Sequence, residues 1–431
     1  MTNNTSITKG KNTFSLVMIT HFIALLGSAI ARFGLGVWAL QSTGKVSSFA
    51  VVLIASFLPG ILLSPFVGAA VDSKGPRIML LTGNILSWII SGIILISILR
   101  GEITMVHVIA GVFSLSIVSE IQEPTLQTFI RFLVPEEKFS RAEGVLSTLS
   151  SVTSMVGPVL AGIVMGFGGI TIIMVIKFAT YTLTVLLLLL LWKRLKINHS
   201  IEEDITEENL SILKEVKLGF NYLRGEKPLF ALVLLFTVLN FALGVNEVIG
   251  QPYILSFGTV EQFGLLSSIY GLGMVLGGLL MSLISLRGKI ISLILVSMFG
   301  MGIFISLTGI FNNVFWIGLF WGGMGLLLSV INTAMLTLIQ VRADPKFLGR
   351  VFSLAKTFAW ISLPFAYLIG GLVADTLVRN NVNITPFLGN DATGIYGMLL
   401  FFSGILIIIT VIFFSNLKYL KDFERSDNLE K

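Results

Sequence analysis

Long apolar stretches separated by short polar ones set the rhythm of this chain. Twelve of them reach the roughly 20 residues needed to cross about 30 Å of hydrocarbon. They cover 13–40, 47–71, 78–99, 103–132, 142–168, 169–192, 228–256, 260–286, 290–311, 314–341, 351–378 and 394–417. Lipid offers backbone N–H and C=O groups no water, so each stretch is predicted to be a helix that bonds within itself. The first follows a polar leader with Lys9 and Lys11 and is longer than the apolar core of a signal peptide, so it is read as a retained span.

The longest polar interruption, 193–227, divides the spans six and six. It opens on Lys193, Arg194 and Lys196 and passes through the acidic run IEEDITEEN. It closes on a segment whose Ile212, Leu213, Val216 and Phe220 recur at helical spacing, as expected of an amphipathic helix on the membrane surface. The expected domains are 1–192, a cytoplasmic central loop over 193–227, a second half over 228–417 and a tail over 418–431. The halves also share a pattern: Val145, Ser147 and Pro158 correspond to Val351, Ser353 and Pro364 at one constant offset. The expected fold class is an all-α membrane protein with twelve transmembrane helices in two pseudo-symmetric six-helix halves.

Composition agrees with lipid as the solvent, with 55% of residues hydrophobic, 12% charged and a mean hydropathy of +0.93. Placing both termini in the cytoplasm puts 23 of the 29 Lys and Arg residues on the inner side, the arrangement that short loops obey. The +6 net charge is thereby an orientation signal, and no nucleic acid partner is expected. With no cysteine there is no disulfide and no thiol chemistry. His21, His107 and His199 are scattered, and no metal-ligand spacing, P-loop or nucleophile elbow occurs, so neither a metal nor ATP is expected. The glycine runs GLGMVLGG and GGMG fall inside spans and are read as sites of close helix packing.

Polar residues inside spans carry the candidate chemistry, because hydrocarbon penalises them. In span 4, Ser116, Glu120, Glu123 and Gln127 fall within roughly 60° of one another on a helix and form one polar stripe, expected to face a cavity. Two neighbouring carboxylates in a low dielectric cannot both ionise cheaply, which suits one of them to exchange a proton. Glu120 is the favoured coupling residue. Glu123 stands beside a kink expected at Pro124 and could instead lie in cytoplasmic water, paired with Arg131 or Lys356. Arg32 and Glu247 each lie 19 residues into spans 1 and 7 and are candidates for an outer-gate ion pair, with snorkelling of Arg32 as the alternative. Lys177 and Lys356 are expected to snorkel.

The loop after span 2, GAAVDSKGPRIML, is similar to the signature of the major facilitator superfamily, carried here by Gly68, Asp72, Gly75 and Arg77. In span 5, GPVLAG, with Gly157, Pro158 and Gly162, resembles the Gly-Pro motif of antiporters in that superfamily. LGFNYLRGEKPLFAL and FLGRVFSL resemble the macrolide efflux and enterobactin exporter branch, and the likeness runs over essentially the whole chain. Leu115 stands about where many superfamily antiporters carry an arginine.

The resemblance implies a secondary active transporter and not an enzyme. It implies a proton-coupled efflux antiporter that exports an amphiphilic, macrolide-like compound by alternating access, driven by the proton gradient without a cofactor. It further implies a monomer, multi-pass in a bacterial cytoplasmic membrane, with both termini inside. A siderophore, peptide or lipid-like metabolite is the alternative cargo, and an intramembrane enzyme, receptor or scramblase the alternative classes. The resemblance also implies a cavity lined by spans 1, 4, 7 and 10, where Asn240, Asn246, Trp321, Ser329 and Asn332 join Ser116 and Gln127 as candidate contacts. Asp72 is assigned to the conformational cycle, not to binding. Asp72→Asn is therefore expected to depress transport in proteoliposomes while leaving substrate affinity in detergent near that of the unaltered protein.

Overall fold

The computed structural model describes residues 2–74, 76–135, 138–192, 220–283, 290–342, 348–380 and 392–417, and these are all-helical. The first five runs are α1 (Thr2–Thr43), α2 (Val46–Lys74), α3 (Pro76–Leu99), α4 (Met105–Leu133) and Phe139–Leu191. That last run breaks at Gly169, where φ 60° and ψ −159° are open essentially to glycine alone. It is therefore two helices, α5 (139–168) and α6 (170–191). The remainder are α7 (Lys227–Phe257), α8 (Val260–Leu283), α9 (Ile290–Ile310), α10 (Val314–Arg342), α11 (Leu348–Arg379) and α12 (Ala392–Ser415). These twelve long helices agree with the number of apolar stretches, and among the described residues a further short helical segment covers 220–225, just before α7. Most of the central linker, 193–219, and the tail from 418 lie outside the described residues, along with the amphipathic segment expected at Ile212 to Val216.

The chain forms two compact units. The first comprises 1–44, 51–202 and 263–268; the second comprises 45–50, 203–262 and 269–431. In the first unit α6 lies antiparallel along α1. Gly27 faces Thr180 and Gly34 faces Ile173, seven residues apart on each helix, and neither glycine leaves room for a Cβ. Apolar side chains pack in two separate clusters. One gathers Ile30, Leu35, Val108, Val112, Leu115, Ile173 and Met174; the other gathers Val17, Met18, Leu80, Leu126, Phe129, Ile130 and Leu188.

The second unit is held by backbone proximity. A Cβ on Gly273 of α8 would strike the carbonyl oxygen of Gly322 in α10, and one on Gly325 would strike that of Tyr270. The mid-span glycine runs thus serve close packing, as small residues do between membrane helices. Gly302 and Gly309 bring α9 equally close to Gly404 and Gly397 of α12. Where side chains do intervene they find partners, and the Tyr253 hydroxyl on α7 donates to Asn312 Oδ1 at 2.7 Å.

Helix ends are also satisfied from a distance. The short segment 45–50, which opens α2, belongs to the second unit. There the two oxygens of Asp375 on α11 accept the N–H groups of Val46 at 2.8 Å and Ser47 at 3.0 Å. Four N–H groups at a helix start have no partner within the helix, and this carboxylate takes two of them. In the first unit Arg77 on α3 serves the opposite end of α6: it donates to the Trp192 carbonyl and stacks 3.6 Å above the Trp192 ring. A cation suits the negative end of a helix dipole.

The backbone at Gly169 generates a stability prediction. Nothing lies within 4 Å of a Cβ placed there, so Gly169→Ala meets no clash but must adopt a conformation that costs an L-residue about 1–3 kcal/mol. A lowered thermal unfolding midpoint in detergent is expected.

Candidate functional site

Between the two apolar clusters of the first unit, the same helices turn polar at one level. On α1, His21 and Ser28 fall between Met18 and Ile30; on α4, Ser119, Glu120 and Glu123 fall between Leu115 and Leu126; on α6, Tyr181 and Thr184 fall between Met174 and Leu188. Asn84 adds α3. This belt surrounds a cavity of about 440 Å³. Polar side chains at membrane depth require one another or water, and the cavity supplies room for both.

The two glutamates of α4 both line it, together with Gln127. Glu120 is half-buried and lies against α2, where a Cβ on Gly60 would sit 2.6 Å from Oε1; Glu123 is more exposed. A glycine at position 60 therefore leaves the space the carboxylate occupies. The helix runs on through Pro124, whose missing N–H withdraws the usual partner from the Glu120 carbonyl. Ser116 departs from the expected stripe: its hydroxyl donates to the Ser56 carbonyl on α2 at 2.5 Å and it does not line the cavity. A short hydroxyl can be satisfied by a neighbouring helix, whereas a carboxylate needs space.

The other sequence candidates are dispersed. Gly75 lies outside the described residues, as do the surroundings of Gly68 and the side chains of Asp72 and Lys356. Arg77 holds the end of α6 as described above. Gly157 packs on Ala29 of α1, and a Cβ on Gly264 would meet the Pro158 carbonyl at 2.5 Å and the Gly162 Cα at 3.4 Å. The Gly-Pro segment is thus a packing surface within the first unit, which includes 263–268.

Arg32 belongs to the first unit and lines the cavity; Glu247 belongs to the second, where it accepts the Tyr367 hydroxyl at 2.6 Å. Asn240 donates to its own helix at Phe236. Asn246 is buried, with Nδ2 lacking a hydrogen-bond partner among the described residues. Trp321 is buried with its ring 3.4 Å from where a Cβ on Gly250 would lie, and Asn332 is exposed.

Sequence reasoning missed His21, Asn84, Tyr181 and Tyr367. A signal existed for the first: His21, Ser28 and Arg32 are spaced seven and four apart, a polar stripe on α1 matching the one on α4. Lys177 is not at a membrane surface but buried, with 4% exposure, between α6 and α1. No group of His, Asp or Glu among the described residues could hold a metal ion.

A family model described as Major Facilitator Superfamily matches residues 17–250. Macrolide efflux protein A of Streptococcus pyogenes is 25% identical over 379 residues, covering 85% of this chain and 91% of that protein. The protein of the same name from Enterococcus faecalis is 26% identical over 320 residues, 72% of this chain and 96% of the relative. Among solved structures, the nucleoside transporter NupG superposes with a TM-score of 0.71 at 13% identity, covering 94% of this chain and 100% of the other. A bacterial homolog of the human lysosomal transporter Spinster gives 0.71 at 11% identity, with 94% and 95% covered. These likenesses carry the fold.

The Tyr367 contact is directly testable. Tyr367→Phe keeps the buried ring and removes the donor to Glu247, so a loss of about 1–2 kcal/mol is expected, read as a lowered unfolding midpoint of the purified protein.

Proposed function

The chain belongs to the major facilitator superfamily, and from that premise we propose that it exports an amphiphilic, macrolide-like compound in exchange for protons. It is a multi-pass membrane transporter and not an enzyme. The single observation that carries the finer reading is the pair of carboxylates, Glu120 and Glu123, opening on one cavity at membrane depth. One helical turn separates them, close enough for the charge on one to act on the other. A proton held on the pair is released when a cationic or polar substrate enters, and returns when the substrate leaves. This alternation is the exchange an antiporter needs.

Glu120 is the coupling residue because it is the more buried of the two and fills the gap at Gly60, where a change of charge is felt by α2. Glu123, more exposed, adjusts the field. A cavity with apolar walls and few polar anchors suits an amphiphile, and the macrolide efflux relatives support that choice of cargo. The inner-side excess of basic residues supports cytoplasmic termini in a bacterial cell membrane.

Uptake of an externally added radiolabelled macrolide into inverted membrane vesicles tests this. Glu120→Gln is expected to abolish uptake driven by an imposed proton gradient while preserving counterflow, and Glu123→Gln to reduce the driven uptake less. Undiminished gradient-driven uptake by the Glu120→Gln protein overturns the assignment.

A further inference from the structure

Along α7 one residue interrupts an otherwise closed surface. Every residue of 244–254 is buried except Glu247, which is exposed. Glu247 lies ten residues, about 15 Å, before the end of the helix at Phe257, so this opening falls inside the hydrocarbon. A carboxylate at that depth is costly against lipid and marks a place where something polar is received.

The neighbouring helices are fitted around that opening. One turn before Glu247, Gly244 brings α7 against α11, and a Cβ there would sit 2.7 Å from Ala366 and 3.5 Å from the Tyr367 ring. Gly370, one turn beyond Tyr367, repeats the approach from α11, since a Cβ on it would meet Val248 at 2.8 Å. The two glycines set the fully buried Tyr367 beside Glu247, and the hydroxyl donates to Oε2 at 2.6 Å. A donor held this rigidly fixes the direction of the carboxylate. One turn after Glu247, Gly250 leaves room for the Trp321 ring of α10, 3.4 Å from where a Cβ would lie. Carboxylate, phenol and indole all belong to the second unit.

This combination selects among possible ligands. A metal ion needs several hard oxygens, and no group of His, Asp or Glu among the described residues offers them. An organic cation needs a single carboxylate and gains from an aromatic ring beside it. We propose that Glu247, oriented by Tyr367 and flanked by Trp321, is a binding site for an organic cation in the second unit. The site shares no residue with the cavity at Glu120 and Glu123 and does not depend on proton exchange there.

Ethidium, a permanent aromatic cation, and phenanthridine, its parent ring, which is uncharged at pH 8, are the probes. Binding of each to the purified full-length protein is read by equilibrium dialysis. Glu247→Gln removes the charge but keeps an acceptor for the Tyr367 hydroxyl, and an unchanged unfolding midpoint confirms that it folds. It is expected to weaken one class of ethidium site about tenfold while leaving phenanthridine binding unchanged. Tyr367→Phe is expected to weaken the same class about threefold. Glu120→Gln is expected to spare it.

Ethidium binding that survives Glu247→Gln in the folded protein overturns the site, as does an equal loss of ethidium and phenanthridine, which shows that shape and not charge was lost. Absence of ethidium binding by the unaltered protein overturns it too. If Glu247→Gln does not fold, undiminished ethidium affinity in Tyr367→Phe overturns it instead. An ethidium loss in Glu247→Gln with none in Glu120→Gln supports this site and counts only against cation binding at Glu120.

Discussion

Hydrocarbon supplies no hydrogen bonds, and nearly every feature of this protein answers that constraint. The backbone answers it by closing into helices, leaving no polar main-chain group to the lipid along a span. Side chains answer locally where they are short. Thr82, Ser91, Thr182 and Thr308 each return a hydroxyl to a carbonyl three or four residues back on the same helix. Longer or charged groups cannot do this. They must reach another helix, as Tyr367 reaches Glu247, or border a cavity, as Glu120 and Glu123 do. The proposed exchange uses the second alternative, since a group that borders a cavity has room to trade water for a ligand.

That same constraint explains what could be read from the chain directly. Apolar length gave the twelve helices, because each must match the thickness of the membrane. The break between α5 and α6 could be located at Gly169 because a chain that turns back inside so little space needs a backbone only glycine adopts. Glu120 and Glu123 stood out because carboxylates are conspicuous among Ile, Leu and Val. The stripe on α1 was as regular, but His21 and Ser28 are individually less costly in lipid than a carboxylate, and Arg32 was read separately, as half of an ion pair with Glu247.

Pairings between distant positions were not legible. Ser116 and Glu120 share a helical face, yet one bonds to Ser56 and the other fills the space beside Gly60. Only the position of α2 decides between those fates. Lys177 has the long stem expected to carry an ammonium to the interface, but its register against α1 buries it. The mid-span glycines of α8 and α10 signalled proximity without naming a partner, and nothing in the sequence of α6 states that Arg77 will close its end.

The carboxylate of Asp375 has a consequence for how the molecule comes into being. Ribosomes deliver Val46 to the membrane 329 residues before the side chain that caps it. During that interval the first turn of α2 has its orphan N–H groups exposed to interfacial water, and the turn frays as uncapped helix ends do. The membrane insertion machinery therefore handles α2 as a span with an unfinished first turn. That first turn is zipped only when α11 has been threaded into place.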